Sequence, residues 1–128
     1  MKTKNLKTQV VIIGGGPSGL LLSQILMKRN IDTIILEAQS REYVLKRIRA
    51  GVLEHGSVEL LKNAGVGERI FCDGKKHDGF IISSGEDSFR IDLSTTTGKS
   101  VYVYGQTEVT IDLYKAVSYT HLRAHETN

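Results

Sequence analysis

The sequence predicts an α/β fold that opens on a Rossmann-like βαβ unit and continues into a small β region. Three observations predict it. A glycine-rich turn, Gly14-Gly15-Gly16-Pro17-Ser18-Gly19, stands between an apolar strand pattern and the start of a helix. A second apolar run ends in an acid, Glu37, 18 residues beyond Gly19, close to the roughly 20 residues at which a dinucleotide fold places its ribose-binding carboxylate. From His77 onward, short β-type runs replace helical periodicity.

Each element has its own reason. Residues 9–13 read as a short buried strand. Gly14 permits the tight exit from it, Gly16 lets the backbone approach a pyrophosphate with no Cβ in the way, and Gly19 lets the helix pack close to the strand. Pro17 suits the first helical position, and Leu20, Leu21, Leu22, Ile25 and Leu26 carry the helix to a predicted end near Asn30. The free N–H groups and positive dipole end of that helix would face phosphates. Residues 33–36 form the second strand, and Glu37 at its end is placed to hold a ribose hydroxyl pair.

Residues 38–52 read as a polar, basic connection rather than a crossover helix. Residues 53–63 carry a helical pattern that Gly65 and Gly67 end, with Glu54, Lys62 and Glu68 toward water. Strands are predicted at 79–83, 88–93 and 100–104, with turns at 84–87 and 94–99. Arg90 and Asp92 alternate with Phe89, Ile91 and Leu93, as on a half-exposed strand. Residues 106–116 predict a last helix, with Thr107 as its cap and Val109, Leu113 and Ala116 along one face.

At 128 residues, 40% hydrophobic and 24% charged, the chain has the composition of an ordinary globular domain. The net charge of +3 comes partly from Lys2, Lys4 and Lys7, which read as a solvated tail; no basic stripe with interleaved aromatics suggests nucleic acid. The apolar run before the glycines is too short for a secretion signal, and no stretch approaches a membrane span. The single Cys72 cannot form an internal disulfide, which fits a reducing cytoplasm.

Beyond the glycine turn, three segments carry a closer likeness: Ile-Leu-Glu37, Tyr-Val-Leu-Lys-Arg-Ile-Arg-Ala-Gly-Val-Leu-Glu ending at Glu54, and Val-Tyr-Gly-Gln-Thr-Glu-Val ending at Val109. Over residues 8–116 the chain resembles the amino-terminal part of the 4-hydroxybenzoate 3-monooxygenases, group A flavoprotein aromatic hydroxylases. The resemblance implies a partial, truncated FAD-binding domain. In it Gly14, Gly16, Ser18 and Gly19 contact the pyrophosphate and Glu37 binds the adenosine ribose. Arg47, Arg49, Ala50, Gly51 and Val52 run beside the flavin, and Gln106 adds a polar contact. Planar guanidinium groups suit phosphate oxygens, and a glycine at 51 permits backbone approach to a flat ring.

Such enzymes use NADPH and O2 to place one oxygen on the ring carbon next to a phenolate, converting 4-hydroxybenzoate into 3,4-dihydroxybenzoate. The cofactor carries the hard chemistry, so no residue of this chain is expected to act as acid, base or nucleophile. NADPH-dependent members commonly follow the ribose-binding glutamate with an arginine, where this chain has Ala38. That departure predicts a weakened NADPH preference with some NADH use, and Gln39, Arg41, Tyr43 and Arg47 are the candidate contacts to the reduced coenzyme. The family also suggests a homodimer for the full-length protein. Two other readings share the glycine turn and Glu37: a fragment of an NAD(P)-dependent Rossmann dehydrogenase, and a non-catalytic nucleotide-binding module.

The last twelve residues resemble a translated read-through of a sequencing-library adapter. That likeness divides the chain into 1–116, the amino-terminal part of an FAD-binding domain, and 117–128, a non-native tail. His121 and His125 have helical metal-ligand spacing but no third ligand, so no metal is predicted. With its substrate-binding part and second flavin motif absent, the fragment is expected to be inactive. It is also expected to expose apolar surface on the sheet face and on the helix at 106–116, and so to be poorly soluble and to retain FAD weakly.

Overall fold

The computed structural model describes residues 5–119 and 123–126. It divides into two units, one made of residues up to Ile48 and from Thr107 onward, the other of Arg49–Gln106.

In the first unit, β1 (Val10–Ile13) leads through the glycine turn into α1 (Pro17–Met27), which returns to β2 (Thr33–Glu37). The two strands run parallel, with Val10 opposite Thr33 and Ile13 opposite Leu36. Asn30 adopts a positive φ of 57° just beyond the helix, in the left-handed region that asparagine tolerates. Leu20 and Ile35 are fully buried, and the Ser23 and Thr33 hydroxyls share a buried 2.6 Å hydrogen bond. Strand β1 is not buried on both faces as expected. Ile12 faces the core, but Val11 is 54% and Ile13 80% exposed, because this unit covers one face of its sheet and leaves the other bare.

A helix also stands where a plain connection was expected. α2 (Arg41–Lys46) starts at Ser40, whose hydroxyl accepts from the Tyr43 N–H at 3.2 Å. Glu42 and Lys46 pair across one turn. The cap and the i,i+4 pair compensate for the missing apolar stripe.

α6 (Gln106–Tyr119) begins one residue before its expected cap: Thr107 lies in the first turn, and its hydroxyl reaches the Leu45 carbonyl at 3.4 Å. Its apolar face is not left open as expected. Val109, Leu113 and Val117 are all buried. The helix continues past Ala116, and β8 (Arg123–Glu126) pairs in parallel with β2, Ile34 opposite Arg123, which gives the sheet the order β1-β2-β8. His121 lies outside the described residues, as does the side chain of His125.

The second unit is built around β7 (Val101–Val103). It pairs antiparallel with β3 (Val52–Leu53) on one side and β4 (Lys75–His77) on the other. β3 takes Leu53 out of the expected helix, so α3 runs from His55 to Asn63, with Val58 and Leu61 buried. α4 (Glu68–Asp73) follows and buries Ile70. Neither α4 nor β4 was expected. The first is too short to show a period, and Lys75-Lys76-His77 carries no apolar signal and owes its strand to β7.

The hairpin of β5 (Gly79–Ser84) and β6 (Asp87–Asp92) closes through Gly85 and Glu86, with Gly85 at φ 61°, the pattern of a II′ turn. Both faces of the hairpin are largely exposed, rather than one. Where a turn was expected after it, α5 (Leu93–Thr97) forms instead. Asp92 caps it by accepting from the Thr95 N–H at 2.9 Å, and Gly98 ends it in the left-handed region.

Candidate nucleotide-binding site

The three fingerprint glycines have three different reasons to be glycine. Gly14 sits at φ 109°, which L side chains rarely adopt, while its N–H still donates to the Leu36 carbonyl at 2.8 Å. Gly16 caps α1 from an extended conformation, and a Cβ there would meet no atom within 4 Å; its outer side is open. A Cβ on Gly19 would overlap the Gly14 carbonyl oxygen and come within 3.2 Å of Ile12 Cγ2, so the helix lies directly on the turn. No side chain caps α1, its first turn holds no acid, and Pro17 occupies N1, so the positive helix end is left to a ligand. Ser18 is exposed beside it.

Glu37 closes the turn from the β2 side. Its Oε2 accepts from the Gly15 N–H at 2.7 Å and its Oε1 from the Gln39 N–H at 2.8 Å. Those two donors, with smaller help from the Ala38 N–H and the positive charge of Arg47, hold the carboxyl below its ordinary range, against a partial desolvation that acts the other way. An ionised carboxylate is an acceptor of the kind that the hydroxyls of a vicinal diol would require. A cradle without Cβ atoms, an open helix end and an ionised acceptor facing them fit the pyrophosphate and ribose of a dinucleotide.

Gly15 was missed by sequence reasoning. It is buried, and a Cβ on it would come within 3.1 Å of Glu37 Cβ. Only the fold reveals that contact, because nothing in the spacing says which glycine faces the acid.

Of the candidate coenzyme contacts, Gln39 offers its backbone to Glu37, and Tyr43 is half exposed on α2. Arg47 ends that helix, exposed. Arg41 is engaged elsewhere: its guanidinium lies 4.9 Å over the ring of Tyr114.

In the second unit, Arg49 and Ala50 are exposed and Val52 is 58% exposed. The Gly51 carbonyl accepts from the Tyr104 N–H at 2.7 Å. The structure thereby joins Gly51 to Tyr104 and Gly105, just before Gln106 in the chain, segments that sequence reasoning assigned separately. Among the described residues no His, Cys, Asp and Glu cluster suits a metal, and no helix is long and apolar enough to cross a membrane.

The FAD binding domain family matches residues 7–127, and the chain belongs to it. The chain is similar to the p-hydroxybenzoate hydroxylase of Acinetobacter baylyi, 52% identical over 114 residues. That match takes in 88% of this chain and 28% of the hydroxylase, so the chain spans little more than a quarter of its relative. Among solved structures it resembles PqsL, a probable FAD-dependent monooxygenase from Pseudomonas aeruginosa, with a TM-score of 0.81 at 12% identity, over 93% of this chain and 32% of that one. It also resembles p-nitrophenol 4-monooxygenase from Pseudomonas putida, with a TM-score of 0.76 at 20% identity, over 91% and 31%. At these identities the structural likenesses speak for the fold alone.

Proposed function

We propose that the chain is the amino-terminal, FAD-binding part of a flavoprotein that hydroxylates 4-hydroxybenzoate to 3,4-dihydroxybenzoate with O2 and NAD(P)H. The 52% identity to a p-hydroxybenzoate hydroxylase carries this reading. The turn at Gly14, Gly16, Ser18 and Gly19 would hold the pyrophosphate, and Glu37 would take the adenosine ribose on an already ionised carboxylate. Arg47, Arg49, Ala50, Gly51, Val52 and Gln106 would flank the flavin. When bound, FAD would supply the redox chemistry that activates O2. The chain's own residues would bind and orient it, and none would transfer a proton to substrate.

The test is the flavin absorbance retained by the purified, completed protein, then its NAD(P)H oxidation with and without 4-hydroxybenzoate. A dehydrogenase fragment would retain no flavin. A binding module would retain flavin without aromatic-dependent oxidation. The 128-residue chain alone is expected to be inactive, and turnover by it would overturn that expectation.

Coenzyme choice is the finer question. Ala38 removes a guanidinium from beside the ribose-binding acid, and Arg41, whose guanidinium lies over Tyr114, is the nearby cation that would have to compensate. In the completed enzyme Ala38→Arg should raise the NADPH to NADH ratio of kcat/KM, by about tenfold if the new guanidinium pairs with a 2′-phosphate. An unchanged ratio would refute the idea.

The complete protein is proposed to be a cytoplasmic homodimer, a reading that size-exclusion chromatography would check. Residues 117–128 are proposed to be non-native. An edge strand is held through its backbone, so pairing with β2 puts few demands on side-chain identity. Sequencing the locus across Ala116 decides it.

A further inference from the structure

We infer that the backbone crossing of Gly51 under Gly105 is a positioning device that holds residues 49–52 for the flavin, with Gly51 as its positioning residue. The inference rests on the FAD reading above and deepens it. Gly51 is not among the positive-φ glycines, so its backbone conformation does not demand glycine. Proximity does. A Cβ there would lie 2.9 Å from Gly105 Cα, 3.3 Å from Gly105 N and 3.4 Å from the Tyr104 carbonyl carbon. All three are backbone atoms, so no flexible side chain can yield to it.

The crossing is closed by the 2.7 Å hydrogen bond from Tyr104 N–H to the Gly51 carbonyl. It is continued by β3 and β7, with Val52 opposite Val103 and Leu53 opposite Tyr102. β7 is itself braced. Tyr102 meets Phe71 edge to face at 5.4 Å, and Tyr104 is buried with the Arg69 guanidinium 5.9 Å from its ring. One side of the 49–52 segment is thus fixed to backbone, while Arg49, Ala50 and Val52 remain exposed. The arrangement is one-sided, since a Cβ on Gly105 would meet nothing within 4 Å. Two segments more than fifty residues apart in sequence are therefore held as one rigid piece of the second unit.

The test compares Gly51→Ala with Gly67→Ala. The second variant strains the same unit without adding an atom at the crossing itself, with a Cβ 2.9 Å from Lys62 Cα. FAD affinity of the 128-residue chain would be read by flavin fluorescence quenching at matched folded fraction. Amide exchange of Tyr104 in the parent would be followed with and without FAD, with Val66, bonded to the Leu61 carbonyl at 2.9 Å, as reference.

Gly51→Ala is expected to bind FAD at least about tenfold more weakly than Gly67→Ala, because small misplacement of a positioning segment is costly. FAD is expected to slow exchange at Tyr104 and not at Val66. Equal affinity in the two variants, or unchanged Tyr104 exchange at FAD saturation, would overturn the inference while leaving FAD binding intact. If Gly51→Ala does not fold, the exchange measurement on the parent decides. A parent that quenches no flavin fluorescence would overturn the FAD reading itself and this inference with it.

Discussion

In the turn between β1 and α1, each fingerprint glycine has its own local condition: a positive φ at Gly14, open space at Gly16, and the Gly14 carbonyl against Gly19. In the β5–β6 hairpin the backbone is equally well defined, with Gly85 supplying the turn. Yet Phe80, Ile81, Ile82 and Phe89 are 47, 65, 39 and 58% exposed. The turn depends on atoms within a few ångströms of itself, so 128 residues suffice to build it. The hairpin's large apolar side chains lack cover from the described residues. In a piece spanning 28% of a relative's length the local sterics of the turn are satisfied, whereas the apolar side chains of this hairpin stay about half exposed.

The sharpest way to break that comparison is Gly19→Ala. Its methyl group would strike the Gly14 carbonyl oxygen, a backbone atom that moves only if the helix lifts from the turn. A loss of about 3 kcal/mol is expected in urea unfolding, at the upper end of overpacking costs, together with loss of FAD binding. An unchanged midpoint would mean that the contact between Gly19 and the Gly14 carbonyl does not hold the helix on the turn.

Acid should act next most strongly, and again on the turn. The carboxyl of Glu37 is held below its ordinary value of 4.5 by the Gln39 and Gly15 N–H groups. A depressed folded pKa contributes stability that is fully present above the unfolded value and lost as pH falls through the folded one. Parent and Glu37→Gln should therefore differ most near neutral pH, and the difference should shrink as pH falls below 4.5 toward the lowered value of the folded carboxyl. Asp92, lowered by the Thr95 N–H and by neighbouring hydroxyls, titrates with the same sign, so the difference between the two proteins is the quantity to measure. A constant difference across the range would remove Glu37 as the ionised clamp.

Legibility in the sequence followed the same division. The β1-turn-α1-β2 unit and the position of Glu37 were readable because fixed spacing and residue type encode them. The hairpin was readable because Gly85 interrupts two β-type runs, the second of them alternating. α2 was missed because its stability comes from the Ser40 cap and an ion pair rather than from a period. β4 was missed because Lys75-Lys76-His77 is a strand only in the presence of β7. The exposure of Ile13 and the burial of Leu113 were both misjudged, since each depends on what the rest of the chain covers. Of the site, the three fingerprint glycines were legible; the contacts between Gly15 and Glu37 and between Gly51 and Gly105 were not, because they join segments across sequence distance.

The hairpin supplies the smallest expected effect. Phe80 faces Ile91 and Ile82 faces Phe89 across the ladder, so the alternating residues Phe80, Ile82, Phe89 and Ile91 share one side. Side chains about half exposed contribute little burial, and threonine keeps the strand propensity. Phe80→Thr combined with Phe89→Thr should shift urea stability by no more than about 1 kcal/mol, the worth of the cross-strand pairs lost. The same change should raise the concentration at which the chain begins to associate, measured by light scattering, because it breaks up an exposed apolar patch. A stability loss on the scale of Gly19→Ala would show that those phenyl rings are already packed in solution, by self-association, and that the hairpin, like the turn, is complete in what surrounds it.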